Sequence, residues 1–352
     1  LKRLVLGIET SCDETSVAVV SNGREILSNV IASQIDIHKR FGGVVPEIAS
    51  RQHLEMITPI IKEALAKAGV SLQDIQAIAV TKGPGLVGSL LIGLSAGKAL
   101  AWSLDIPLLG VHHMAGHIYA NFLIEEDRPY LEPYEDMQEK TLCLVVSGGH
   151  TDLVYLEGPG RFKVLGQTRD DAAGEAFDKV ARVLKLPYPG GPAIDKLAQE
   201  GNPEAIRFPR SYLEKGSYDF SFSGLKTAVS LFMQKEFSKG EYALADVAAS
   251  FQEAVAEVLV EKTRQAAEER GIKRILLAGG VAANSALRRK MTELGEKEGY
   301  HVHYPSLKLC TDNAAMIAGM GYYQWQQGLI DDLDLDAVAQ LPLEDLSILP
   351  GK

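Results

Sequence analysis

Leu4-Val5-Leu6-Gly7-Ile8-Glu9-Thr10-Ser11-Cys12-Asp13-Glu14-Thr15-Ser16-Val17-Ala18-Val19-Val20 stands near the start of the chain. Leu4–Ile8 is apolar, Glu9–Ser16 is a polar turn, and Val17–Val20 is apolar again, so the segment reads as a strand that turns and returns. Asn22-Gly23 marks a tight hairpin into a further strand, Glu25–Ile31. The same shape recurs later: Leu142–Val146 apolar, Ser147–Asp152 polar and glycine-rich, Leu153–Leu156 apolar. Two such hairpins suggest a duplicated unit. Outward from the first, Gly42-Gly43 and Pro46 introduce a helix through Ala68. Its Ile48, Leu54, Ile57, Ile61 and Leu65 lie near helical spacing, with Gly69 as the stop and a kink expected at Pro59. Ile75–Val80 and Ile106–Val111 read as strands around a small-residue helix, Leu86–Leu104. The second half offers helices near Gly174–Leu184 and Ala245–Arg270, strand Arg274–Ala278, helix Asn284–Leu294, strand Tyr300–Tyr304 and a last helix near Asn313–Gln327. Strands alternating with helices predict an α/β architecture, two related halves facing a cleft. Residues 124–140, charged and Pro-containing, read as a connector, and acidic Asp331–Asp336 as a solvated end.

The 352 residues carry 36 basic and 46 acidic side chains, a net charge of −10. That balance argues against a chain that grips nucleic acid unaided, because phosphate binding runs on clustered Lys and Arg. Residues 161–240 depart from it, with 13 basic against 10 acidic side chains, and are the slice best suited to a polyanion. The longest uncharged stretch, Asn313–Ile330, holds Asn313, three glutamines and three glycines and does not read as a membrane span. Leu4–Ile8 is too short for a secretory signal core. Cys12, Cys143 and Cys310 are odd in number and far apart, so neither a disulfide framework nor a zinc ribbon is indicated; a reducing cytoplasm is the expected setting.

His112, His113 and His117 crowd a strand-to-helix junction, where α/β sheets place ligands. On a helix, His113 and His117 are i and i+4, so both imidazoles leave one face, a spacing that suits two ligands of one metal. Taken alone, such a pair more often just caps or packs. A zinc protease would need Glu at position 114, which is Met. A third ligand should be a carboxylate from elsewhere; Asp312, before the final helix, qualifies, although by itself it reads as that helix's N-cap. Ser147-Gly148-Gly149-His150 follows an apolar strand and could present successive N–H groups to an anion, or be an ordinary glycine hairpin. Glu9, Asp13 and Glu14 crowd the matching first turn, either solvated or available to bind Mg²⁺ or position a nucleophile. Gly279-Gly280-Val281 before Asn284 is a plausible nucleotide platform. Tyr188-Pro189-Gly190-Gly191-Pro192, followed by Asp195, could bring a carboxylate to a ribose.

Together these segments resemble the tRNA N6-adenosine threonylcarbamoyltransferase (TsaD) family over almost the whole chain. The resemblance rests on Gly7–Thr15, Gly42–Glu47, Lys82–Leu86, Lys98 with Asp105, Pro107, His113, Gly116 and His117, Val146–His150, Asp171–Lys179, Phe220–Lys226, Gly279–Asn284 and Cys310–Asn313. It implies a duplicated ribonuclease-H-like fold of the acetate/sugar kinase–Hsp70–actin (ASKHA) class. The implied subdomains are 1–123 with 318–352, the final helix packing back on the first half, and 124–317. The family moves threonylcarbamoyl from threonylcarbamoyl-AMP to the N6 amine of adenosine 37 in tRNAs reading ANN codons. The likeness makes His113, His117 and Asp312 ligands of one divalent metal, usually iron with zinc also found, while magnesium could accompany the nucleotide. It makes Val145, Val146, Ser147, Gly148, Gly149, Asp178, Gly191, Asp195 and Asn284 the adenylate-binding positions, and Asp13 an essential residue. Asp13, with His150 second, is the candidate to steer or deprotonate the amine. The implied partners are tRNA, a TsaB-like paralogue and a TsaE-like ATPase, with no membrane. Two other readings of the fold are a small-molecule kinase or ATPase, which has no use for the histidine pair, and a non-catalytic scaffold, which should lack it.

Overall fold

Leu4–Glu9 (β1), Glu14–Ser21 (β2) and Glu25–Ser33 (β3) form an antiparallel meander, as the opening stretch predicts. Ala77–Gly83 (β4) joins β1 in parallel and Leu108–His112 (β5) joins β4, giving a five-stranded sheet in the order β3-β2-β1-β4-β5. The computed structural model describes residues 2–124, 131–212, 214 and 216–343. Between β3 and β4 lie a one-turn helix, Ile35–His38 (α1), and the long Pro46–Ala68 (α2). Pro46 occupies the first turn, where its missing N–H costs nothing, and Gly69 closes the helix at φ 67°. The helix runs on through Pro59. Val87–Leu104 (α3) and His113–Tyr119 (α4) follow β4 and β5. By length and composition α3 is apolar enough to cross a membrane, Lys98 notwithstanding; here Leu90, Leu94 and Ala101 are buried, and α3 packs on β4 and α2. Leu6, Ile8, Val17, Val19, Ile57, Ile60, Ile78, Val80 and Leu94 are the heart of this core.

The second sheet repeats the first. Thr141–Val146 (β6), Thr151–Gly158 (β7) and Arg161–Gln167 (β8) form the meander, and Arg274–Ala278 (β9) and His301–His303 (β10) add in parallel, in the order β10-β9-β6-β7-β8. The two orders correspond strand for strand, which establishes the duplicated α/β class. Its helices are Ala173–Val183 (α5), Gly190–Ala198 (α6), Ser223–Lys235 (α7), Leu244–Arg270 (α8) and Ser285–Glu298 (α9).

A short helix, Leu307–Cys310 (α10), then leads to Ala314–Gln326 (α11), which packs on β1, β2, β4 and β5. The contact is close: a Cβ on Gly7 would lie 2.3 Å from the Ala314 carbonyl oxygen, and one on Gly321 would lie 2.5 Å from the Ala79 Cβ. The chain accordingly divides into Leu1–Gln138 with Gly158–Phe162 and Leu307–Lys352, and Glu139–Glu157 with Lys163–Ser306. The return to the first unit thus begins at Leu307, because α10 and the Asp312 turn travel with α11.

Two sequence expectations need correction. The segment expected to connect the halves includes 125–130, outside the described residues, but its later part belongs to the first unit's core. Tyr134 is buried with its ring 5.3 Å from Tyr119, 4.9 Å from Phe122 and 4.9 Å from Tyr323. The acidic end is not simply solvated either. Asp331 bridges to Leu108 on the edge of β5, and its Oδ2 accepts from the Gly110 N–H at 2.8 Å. Beyond it the Val338 N–H donates to the Lys82 carbonyl, and the Gly85 N–H to that of Ala339. An acidic sequence here covers a sheet edge that would otherwise present unpaired backbone groups.

Candidate functional site

His112 ends β5 and caps α4, its Nδ1 accepting from the Met114 N–H at 3.1 Å. The cap starts the helix at His113, so His113 and His117 fall one turn apart with ring centroids 4.6 Å from each other. Both are buried. Asp312 approaches from the α10–α11 turn: its Oδ1 lies 3.1 Å from His117 Nε2 and 3.5 Å from His113 Nε2. Two imidazole nitrogens and a carboxylate oxygen thus lie within 4.8 Å of one another, a set that could hold a metal ion. Asp312 is not the cap of α11. Asn313 takes that role, its side chain accepting from the Met316 N–H at 3.1 Å, which leaves Asp312 turned to the histidines.

Around this trio the electrostatics are steep. Glu9, at the end of β1 and fully buried, accepts from the Ser11 N–H at 2.5 Å, Thr81 Oγ1 at 2.6 Å and His113 Nδ1 at 3.0 Å. Burial opposes its charge, but the His113 cation holds it below the ordinary carboxylate value. Burial likewise disfavours a charged His113, yet Glu9 and Asp312 lift it well above the ordinary imidazole value. Burial keeps His117 below that value, and the two histidines hold Asp312 far below its own against the same burial. With Nδ1–H given to Glu9, His113 directs Nε2 at Asp312, the arrangement by which an outer carboxylate orients a metal-binding imidazole. His117 Nδ1 is buried with no hydrogen-bond partner among the described residues. Metal bonds of about 2.0–2.2 Å place ligand pairs roughly 3–3.5 Å apart, the separations found from Asp312 to each ring. The residues fit a metal. Glu9 was visible in the sequence only as one of three crowded acids; its pairing depends on β1 lying beside β4 and β5.

The adjoining turn carries Asp13, which is buried, and Glu14, whose carboxyl is pushed up to about 9 by burial, then by Asp13 and Asp312. His53, from α2, pins this turn. Its Nε2–H donates to the Cys12 carbonyl at 2.9 Å while Nδ1 accepts from Thr15 Oγ1 at 2.8 Å. No local signal marked His53, since its partners lie far away in the sequence.

The remaining candidates lie in the second unit. Val145 and Val146 are fully buried in β6, so a ligand could meet them only through the backbone. In the following turn the Ser147 N–H is committed to the His150 carbonyl, and the His150 N–H donates to Ser147 Oγ at 3.1 Å. The expected anion nest is therefore narrower than three residues: the amides of Gly148 and Gly149 are the ones without an internal partner among the described residues. A Cβ on Gly148, Gly149 or Gly191 would meet nothing within 4 Å, which leaves their backbone approachable. Asp178 Oδ1 accepts from the Gly190 N–H at the start of α6. Asn284 caps α9 through the Leu287 N–H. Asp195 meets that cap, its Oδ1 accepting from Ser285 Oγ at 2.6 Å and from Asn284 Nδ2 at 3.3 Å. Asp178 with Gly190 and Asp195 with Asn284 are thus brought together, whereas Asp13 and His150 belong to different units.

Residues 25–319 match the family described as TsaD, tRNA N6-adenosine threonylcarbamoyltransferase. Proteins of that description from Symbiobacterium thermophilum and Bacillus cereus are 59% identical over 340 residues and 58% identical over 343 residues, in both cases covering 97% of each chain. The chain belongs to this family. As a tRNA N6-adenosine threonylcarbamoyltransferase family member it is an enzyme, an acyltransferase. Two solved structures are similar in fold. HypF of T. kodakarensis gives a TM-score of 0.60 at 15% identity, covering 95% of this chain and 49% of HypF. Component A of the (R)-2-hydroxyglutaryl-CoA dehydratase of Acidaminococcus fermentans gives 0.52 at 15% identity, covering 92% and 98%. The family and these neighbours agree with the duplicated ASKHA architecture of the two sheets.

Proposed function

We propose that this chain transfers threonylcarbamoyl from threonylcarbamoyl-AMP to the N6 amine of adenosine 37 in tRNAs reading ANN codons, in the cytoplasm, as part of a complex with a TsaB-like paralogue and a TsaE-like ATPase. The observation that carries the reading is the His113–His117–Asp312 trio in a chain of this family. Two histidines and one carboxylate with room for further ligands is the donor set of non-haem iron(II) and is also compatible with zinc. When bound, such an ion would supply Lewis acidity for polarising or orienting a carbonyl.

The chain's own residues divide the remaining work. Glu9 fixes the His113 ring, and Asn313 frees Asp312 from capping. The Gly148 and Gly149 amides would take the donor's phosphate oxygens, or the oxyanion that develops on the carbamoyl carbonyl. Asp195 keeps Oδ2 for a ribose hydroxyl, and Asp178, Gly191 and Asn284 frame the nucleoside. The amine nitrogen attacks the carbamoyl carbon, the bond from that carbon to the phosphate oxygen breaks, and AMP leaves. Asp13 is assigned to accept the amine proton, with His150 as the second candidate. On α2 and α3, Leu54, Val87 and Leu91 are 65%, 46% and 41% exposed, an apolar surface that supports a protein partner there.

In a reconstituted transfer assay, Asp13→Ala should abolish threonylcarbamoyl transfer while leaving AMP binding intact. Loss of both together would reject the role given to Asp13. ATP turnover yielding a phosphorylated small molecule, with no change to tRNA, would return the kinase reading.

A further inference from the structure

The turn that carries Asp13 is tied to a cationic, aromatic tip that the chemistry above does not use. The Gln34 N–H donates to the Asp13 carbonyl at 3.0 Å, and Gln34 begins α1. Four residues on, His38 is fully buried and holds the following loop at two points. Its Nδ1 accepts from the Val45 N–H at 3.3 Å, and its carbonyl accepts from the Gly43 N–H at 3.4 Å. His38 Nε2–H donates back to Gln34 Oε1 at 3.1 Å, and Gln34 Nε2 donates to the Ala49 carbonyl at 3.3 Å. The loop is thus closed on itself and braced against α2.

What this brace presents is Lys39-Arg40-Phe41-Gly42-Gly43. Phe41 is 57% exposed, a large aromatic ring held out to solvent by a well-bonded loop. A Cβ on Gly42 or Gly43 would meet nothing within 4 Å. Lys39 is paired with Asp36 at 2.8 Å, whereas Arg40 is exposed and makes no ion pair among the described residues. Arg51, exposed on the first turns of α2, makes none either. In a chain of net charge −10 these are conspicuous cations. An arginine without an ion-pair partner among the described residues, next in sequence to an outward aromatic ring, supplies the two residue types that hold single-stranded nucleic acid, a ring to stack on a base and a cation to meet phosphate. From Gln34 to Phe41 the path is largely helical, about 1.5–2.0 Å per residue, or roughly 10–14 Å. That is the span of a few stacked bases at about 3.4 Å each.

We infer that Phe41 and Arg40 form a stacking platform for an RNA loop nucleotide that neighbours the target adenosine. The inference rests on the tRNA reading proposed above and adds a contact surface to it. The test uses the full chain, metal-loaded, with a fluorescently labelled anticodon stem-loop as probe, and anisotropy titrations at several salt concentrations. Phe41→Ala should weaken binding about tenfold, within the range for losing one stacked base, and Phe41→Trp should restore it. Arg40→Ala should lower the slope of log K against log salt by about 0.7, the value for one phosphate contact on a single strand. AMP binding should stay unchanged in all three variants, which also reports that they fold. Unchanged affinity in Phe41→Ala, or equal weakening toward a fully paired RNA hairpin, would overturn the platform. If wild type transfers the group to tRNA and Phe41→Ala does so with the same KM, the platform fails while the proposed function stands. If Phe41 governs loop binding but wild type never modifies tRNA, the function fails and the platform stands.

Discussion

Asp312 and Asn313 are neighbours in sequence, and either could have capped α11; Asn313 does so, and Asp312 is then free to face His113 and His117. Substitutions should separate the two tasks. Asp312→Asn keeps the shape and removes the charge, so bound metal, read by elemental analysis of purified protein, should fall to background with little change in melting temperature. Asn313→Ala should cost about 1 kcal/mol of stability and retain the metal. The reverse pattern would return Asp312 to a purely structural role. The histidine pair could be read from its spacing alone, because both ligands lie on one helical turn. Glu9 could not, since its bond to His113 is made across three strands of a sheet. Asp152 provides a pH test of burial. Its carboxyl, at the start of β7, is raised to about 6 by desolvation, against an ordinary value of 3.8. The folded state therefore binds the proton more tightly than the unfolded state. Stability should fall as pH rises from roughly 4 to 6, by an amount on the order of 2 kcal/mol. Asp152→Asn should flatten that interval in urea titrations; an unaltered slope would contradict it.

The segment after α11 looks like a solvated acidic end, because composition reports charge and not which backbone groups need partners. In the fold, Asp331 meets the Gly110 N–H, and the Leu341 carbonyl accepts from His112 Nε2–H, the residue whose other nitrogen caps α4. The segment thus steadies both the edge of β5 and the start of the helix that bears the histidines. Asp331→Ala leaves the Gly110 N–H without its acceptor and should destabilise the protein by about 1–3 kcal/mol. Hydrogen exchange should rise first in β5 and α4, and a rise confined to the unfolding of the second sheet would count against this role. The third strand of the second meander carries no comparable signal in the sequence. Arg161–Gln167 alternates only partly, with Arg161 and Lys163 exposed, as edge strands often are. The first meander was legible because Leu4–Ile8 and Val17–Val20, buried stretches of β1 and β2, read as short apolar runs on either side of a polar turn.

For the whole molecule, the duplicated hairpins were enough to anticipate two related halves, and the structure adds that their sheets share one strand order. The return of the chain to its first unit was not legible from pattern, because α11 is apolar nearly all round and gives no hint of which sheet it covers. That return brings Asp312 to residues two hundred positions away, so the candidate metal site exists only in the folded chain. The central claim is that this site serves threonylcarbamoyl transfer to tRNA. Its most direct test is mass spectrometry of tRNA after incubation with threonylcarbamoyl-AMP and the partner subunits, comparing wild type with His113→Ala. We expect adenosine carrying the added threonylcarbamoyl mass with wild type and none with the variant. Equal modification by both proteins, or none by either, would contradict the account.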